Sequence, residues 1–195
     1  ICQVPRPSKK EEKIIAYLRQ FGEKHQLETL VDEAGNVLIK KPATPGMEGR
    51  KTVVLQSHID MVCEKNKDVA HDFDNDPIET YIDGEWLRAR GTTLGADNGI
   101  GVAAAMAILA DKSLIHPPLE VLVTVDEETG MYGAFALEGG LLKGKTLLNL
   151  DSEAEGELYI GCAGGIDVTA TLQYMEIEPE EDYKAVRVTL KGRSE

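Results

Sequence analysis

Apolar positions along the chain follow two different periods. In residues 9–25, Ile14, Ile15, Leu18 and Phe21 recur at helical spacing, which predicts an amphipathic helix. Pro5 and Pro7 keep the preceding stretch irregular, Ser8 suits an N-cap, and Glu11 completes a capping-box pattern with it. The other runs are shorter and strand-like. Residues 29–31 and 36–39 flank Asp32-Glu33-Ala34-Gly35 as a hairpin-like pair. A Pro- and Gly-rich loop over 42–50 leads to an apolar strand at 51–56, which runs into Ser57-His58-Ile59-Asp60. Residues 71–85 are polar and turn-rich, with a small hairpin expected at Asp83-Gly84. A glycine-punctuated loop over 90–99 delivers the chain into residues 100–111, which are apolar on most faces and so predict a buried helix. Residues 119–125 form an apolar, β-branched run of the kind buried in a parallel sheet. A short helix over 132–138 ends at Gly139-Gly140, and a further buried strand spans 145–150. Strands are also expected at 157–161 and 166–174, around a turn at 161–165, and at 183–191.

Strands alternating with helices predict an α/β fold, a sheet with helix-covered faces. The 195 residues are enough for one domain with a real core, or for most of one. A net charge of −13 argues against nucleic acid or an anionic membrane as the main partner, since both would require a basic face. Cys2, Cys63 and Cys162 are far apart and odd in number, with neither metal spacing nor a disulfide framework, which fits a reducing, cytoplasmic compartment. Neither a signal peptide nor a long apolar span is visible. The chain starts at Ile1 without Met and stops directly after a strand-like run, so a piece of a longer chain is expected.

Three apolar strands end in residues able to do chemistry. His58 and Asp60 follow the first, Glu127 and Glu128 the second, and Asp151 the third, while Asp97 stands at the start of the buried helix. In an open α/β sheet these ends converge on one crevice beyond the carboxyl ends of the strands. Histidine with several carboxylates is a ligand set for Zn²⁺ or a similar divalent ion. Asp60 could hold the second nitrogen of His58, and Asp97 could bridge two metals. Glu127 and Glu128 cannot point the same way, which suits one to proton transfer and the other to ligation. Each residue also has a plainer explanation. The acids could form a solvated turn, His58 could be structural, Asp97 could be an N-cap, and Asp151 could be a turn residue.

The motifs Ser57-His58-Ile59-Asp60, Gly95-Ala96-Asp97-Asn98-Gly99, Asp126-Glu127-Glu128-Thr129-Gly130 and Leu150-Asp151-Ser152-Glu153 resemble those of the co-catalytic zinc exopeptidases. The Met61-Val62-Cys63-Glu64 continuation and the Gly161-Cys162-Ala163-Gly164-Gly165 turn resemble the dipeptidase branch rather than the related deacylases. The resemblance implies a three-layer α/β/α catalytic domain with a mixed, mostly parallel sheet. It also implies two Zn²⁺ ions, with Co²⁺ or Mn²⁺ as alternatives, and hydrolysis of Xaa-His or other dipeptides by a metal-bridged hydroxide. His58 and Asp151 would hold one metal and Glu128 the other, with Asp97 bridging. Glu127 would be the general base, Asp60 would orient His58, and the Asp97–Asn98 peptide bond would be cis.

In that family a further histidine from near the C-terminus completes the second metal, and an inserted lid domain helps bind substrate and form a homodimer. Neither has a counterpart in these residues, because His25, His71 and His116 do not replace the missing ligand. Residues 1–195 are therefore expected to be the N-terminal part of a catalytic domain, inactive on its own. Two alternatives stand beside the dipeptidase. One is an N-acyl amino-acid deacylase on the same metal core, and the other is a metal-binding domain without catalysis.

Overall fold

A computed structural model of the chain describes residues 1–152 continuously, and beyond them residues 154, 156–161, 164, 168–173, 175, 178, 184 and 186–189. In chain order the elements are α1 (Glu12–Lys24), β1 (Glu28–Val31), β2 (Val37–Lys41), β3 (Val53–His58), β4 (Thr80–Asp83), β5 (Trp86–Ala89), α2 (Ala96–Ala110), β6 (Leu119–Thr124), α3 (Tyr132–Phe135) and β7 (Thr146–Asn149). The chain divides into two units, Ile1–Glu157 and Leu158–Glu195, and every one of these elements lies in the first.

The apolar run at β6 is buried along its whole length because it has a neighbour on each edge and cover on each face. The main sheet has the order β1-β2-β6-β3-β7. β3 runs parallel to both β6 and β7, whereas β2 runs antiparallel to β6 and β1 antiparallel to β2. The sheet is thus mixed, with its parallel part at β6-β3-β7.

Alternation along the strands separates two faces. Ile39, Val121 and Leu55 share one rung and one face. That face packs against Ile14 and Leu18 of α1 and Val102, Ala105 and Leu109 of α2 in a single buried cluster. The opposite face carries Leu38, Leu122 and Val54, all buried. The segment around α3 and Gly144 covers it. Asn36 Nδ2 donates to the Gly133 carbonyl (2.8 Å), and a side chain at Gly144 would meet Val54. Glu120, buried within β6, accepts the N–H groups of Lys143 (2.9 Å) and Gly144 (2.9 Å). Leu122 lies at the centre of this face, so Leu122→Ala is expected to lower stability by about 2–5 kcal/mol in a urea melt. A change within about 0.5 kcal/mol, the range of surface sites, would contradict its place in the core.

The structure departs from the sequence reading at several elements. The first helix starts at Glu12 rather than residue 9, and no side chain caps it. Ser8 and Glu11 do not form a capping box. Ser8 Oγ donates to Asp60 (2.7 Å) instead, and Glu11 accepts the N–H of Asp126 (3.0 Å). The second long helix starts at Ala96, next to the expected start near Asp97–Gly99, with Asp97 and Asn98 in non-helical conformations inside its first turn. The helix at 132–138 shortens to four residues. The hairpins at β1–β2 and β4–β5 form where turn residues flank them. No strand occurs among the described residues of 157–161, 166–174 and 183–191, and the rest of those stretches, with Cys162, lie outside the described residues. An alternating pattern becomes a strand only where a neighbour takes its backbone hydrogen bonds.

Candidate metal centre

Strand register brings the site together. His58 ends β3 opposite Thr124 of β6, and the Ile59 N–H donates to the Thr124 carbonyl (2.9 Å). The acids at 126–128 therefore emerge beside His58. On the other edge Gln56 faces Asn149, and the Leu150 N–H donates to the Gln56 carbonyl (2.8 Å), which delivers Asp151. His58 Nε2 lies 3.0 Å from Asp97 Oδ1, 3.6 Å from Asp151 Oδ1 and 3.9 Å from Glu127 Oε2. Asp97 reaches this point from the start of α2 after the left-handed Gly95, and the Asp97–Asn98 peptide bond is cis. Asn98 Nδ2 donates to the Leu150 carbonyl (2.7 Å), tying the Asp97 turn to the strand end that carries Asp151.

Asp60 is fully buried and organises the other side of His58. Its Oδ1 lies 3.3 Å from His58 Nδ1, which has no aligned hydrogen-bond partner, so this contact is charge attraction at close range. Asp60 Oδ1 also accepts the Glu127 N–H (3.0 Å), and Oδ2 accepts the Glu128 N–H (3.2 Å) and Ser8 Oγ–H (2.7 Å). One carboxylate thus fixes the histidine and the turn that carries both glutamates. Burial works to raise the pKa of Asp60, but His58 and these donors outweigh it and hold the carboxyl at about 2.

The donor set suits a cation. Ligand atoms of His58, Asp97 and Glu128 all lie within 4.8 Å of one another. Burial first, then the neighbouring charges of Asp97 and Glu127, push Glu128 upward despite the opposing pull of His58. Burial likewise raises Asp151 to about 6, with His58 opposing and Asp97 adding to the rise. A divalent ion would relieve this crowding of like charges. Burial lowers the His58 pKa, but Asp60, Asp151 and Asp97 together raise it to about 9, so without a metal it keeps its proton at neutral pH. Ligation requires the neutral ring and ionised carboxylates. Zn²⁺ affinity is therefore expected to rise with pH up to about 9 and to fall more steeply below about 6, as Asp151 also takes up a proton. Chelator-competition titrations across that range would show it, and a flat profile would place His58 outside the site.

Asp126 does not join the His58 group. Its backbone is left-handed (φ 50°), a conformation that short polar side chains tolerate, and its Oδ1 accepts Thr129 Oγ–H (2.6 Å) to close the turn. Glu11, Asp60 and Asp126 form a second close acidic group, but each accepts hydrogen bonds from the chain itself. The other histidines are engaged elsewhere. His25 packs at a tilt against Phe21, His71 meets Phe73 edge-on, and His116 Nδ1 lies 2.8 Å from the Pro117 carbonyl. Arg6, Ser8, Glu11 and Asn98 support the site, yet sequence reasoning did not place them there. Only Asn98 carried a local signal, its position next to Asp97.

A buried histidine backed by an aspartate and facing carboxylates at the ends of parallel strands could hold a divalent ion. The model of peptidase family M20/M25/M40 matches residues 54–188, and the chain belongs to that family. It is 54% identical over 192 residues, 98% of its length, to the cytosol non-specific dipeptidase of Escherichia coli strain K12, of which it covers 40%. Its fold is similar to that of aminoacylhistidine dipeptidase from Vibrio alginolyticus, with a TM-score of 0.81 and 60% identity, covering 83% of this chain and 33% of that one. Aminopeptidase PepT from Bacillus cereus is also similar, with a TM-score of 0.66 and 28% identity over 78% of this chain and 41% of that one. The chain thus spans less than half the length of these relatives. No helix among the described residues is long and apolar enough to cross a membrane.

Proposed function

We propose that this chain is the N-terminal part of the catalytic domain of a metal-dependent dipeptidase that hydrolyses Xaa-His and other dipeptides. The observation that carries this reading is the convergence of His58, Asp97 and Glu128 within 4.8 Å. Similarity to proteins named as dipeptidases supports the substrate class. His58, Asp97, Glu128 and Asp151 would hold two divalent ions, with Asp97 shared between them, and Zn²⁺ suits the mixed nitrogen and oxygen donors. Bound there, the ions would supply Lewis-acid polarisation of the peptide carbonyl and activation of water.

The chain's own residues would do the rest. Glu127, with 32% of its side chain exposed, would take a proton from water and deliver it to the leaving amine. Asp60 would keep His58 oriented and hold the Glu127–Glu128 turn by its two N–H groups. Asn98 would hold Asp151 in register with Asp97. By the same likeness we infer a cytosolic protein that acts on short peptides, and from the family resemblance of the motifs that it pairs with a second copy of itself.

Substrate competition tests this reading. The full-length protein is expected to turn over Xaa-His dipeptides faster than N-acyl amino acids. The reverse order would make it a deacylase on the same core.

A further inference from the structure

The stretch before α1 lies outside the residues matched by the family model, and in sequence it looks like an irregular lead-in. Its side chains nevertheless reach three segments of the metal centre, those that carry His58, Asp97 and the Glu127–Glu128 pair. Arg6 is only 2% exposed, and its guanidinium is spent on backbone carbonyls. Nη1 donates to Ile59 (2.8 Å) and Asp60 (3.1 Å), the two residues after His58, while Nη2 donates to Gly95, two residues before Asp97. The Met61 N–H donates to the Arg6 carbonyl (3.2 Å), and Pro7 pairs with Met61 in a parallel bridge, so the backbone is fixed as well. A side chain at Gly95 or Gly99 would run into Nη2, so the α2 turn is shaped around the guanidinium. Ser8 bonds the Asp60 carboxylate (2.7 Å), and Glu11 accepts the N–H of Asp126 (3.0 Å), just before Glu127.

We propose that Arg6 is a positioning residue of the metal centre, and that residues 6–11 form a strap setting the separation of its His58–Asp60 and Asp97 halves. The two halves come from segments that pair further from the ligands, at the Lys65–Thr92 bridge and through Thr93, and Arg6 ties them again next to His58–Asp60 and Asp97. One planar fork bonded to both fixes their spacing in a way that a single ammonium could not, because the guanidinium offers several donors in a rigid plane. The proposal rests on the metal-site reading above.

The test uses the full-length protein and its variants Arg6→Met, Arg6→Lys, Arg6→Ala and Ser8→Ala. Zn²⁺ affinity is measured by chelator competition, the visible spectrum of the Co²⁺-loaded protein reports ligand geometry, and circular dichroism establishes folding. Both Arg6→Met and Arg6→Lys are expected to bind Zn²⁺ about 10–100-fold more weakly than the unmodified protein, the range seen when a group supporting metal ligands is lost. Their Co²⁺ spectra should change, and millimolar guanidinium ion should restore affinity to Arg6→Ala. Ser8→Ala should show a smaller loss in the same direction. Unmodified affinity and spectrum in folded Arg6→Met, or in Arg6→Lys, would overturn the proposal. If Arg6→Met does not fold, Ser8→Ala decides, and an unmodified affinity and spectrum there would overturn the strap. Absence of Zn²⁺ binding by the unmodified protein would instead sink the site reading, and the strap with it.

Discussion

Replacing Glu127 by glutamine in the full-length protein is expected to lower kcat about 10²–10⁴-fold, the usual contribution of a general acid–base group, while metal content stays unchanged. Glutamine has the same shape but cannot carry the proton. The Glu127 backbone N–H is held by Asp60 Oδ1 (3.0 Å), so the turn should survive the substitution. The Glu127 carboxylate also lies outside the closest ligand group of His58, Asp97 and Glu128. Steady-state kinetics with a dipeptide, together with metal analysis of the same sample, measure both halves. Turnover within a few-fold of the unmodified protein would remove Glu127 from the chemistry. Loss of metal in step with activity would make it a ligand instead.

Asp60→Ala is expected to have the broadest effect of any single change at the site. It removes the acceptor for the Glu127 and Glu128 N–H groups and for Ser8, together with the charge beside buried His58. Each buried donor left unpaired costs about 1–3 kcal/mol, and loss of a group that orients a metal-ligating histidine weakens metal binding about 10–100-fold. Two measurements should therefore move together, a lower midpoint in a urea melt and a weaker Zn²⁺ affinity. Asp60→Asn keeps one acceptor oxygen and should recover part of the stability but less of the affinity, because the negative charge beside His58 is gone. Unchanged affinity in a destabilised Asp60→Ala would confine this residue to the fold. The acid side of the stability curve gives a further sign. With its pKa held at about 2, below an ordinary value of 3.8, Asp60 contributes stability above pH 3.8 that is lost as pH falls toward 2.

Much of this site was legible because it sits where strands end. β3, β6 and β7 announce themselves as apolar runs, although β7 is exposed along its length rather than buried as expected, and His58, the Glu127–Glu128 pair and Asp151 stand at or just past their ends. The start of α2 was visible from its alanines and glycines, which placed Asp97 near the other groups, although the helix is buried on one face only and Ala96, Asp97 and Ile100 are exposed. The supporting residues were harder to see for a physical reason. A serine hydroxyl or a glutamate carboxylate serves a local N–H and a distant group equally well. Ser8 and Glu11 therefore fitted a capping box while bonding partners 52 and 115 residues away. Arg6 was invisible for a related reason. Arginine is mostly exposed, and nothing local shows that its partners are carbonyls 53, 54 and 89 residues further on. Sequence gives Asp126 no role, and the structure supplies one: its left-handed backbone and its bond to Thr129 close the turn that carries Glu127 and Glu128.

If His58, Asp97, Glu128 and Asp151 form the proposed metal site, dipeptide hydrolysis depends on it. The most direct measurement is hydrolysis of an Xaa-His dipeptide by the full-length protein, stripped of metal with a chelator and then titrated with Zn²⁺. The predicted result is activity that vanishes on stripping and returns with added Zn²⁺, levelling off at two ions per chain. Activity that persists in the stripped protein would rule out a metal-dependent dipeptidase.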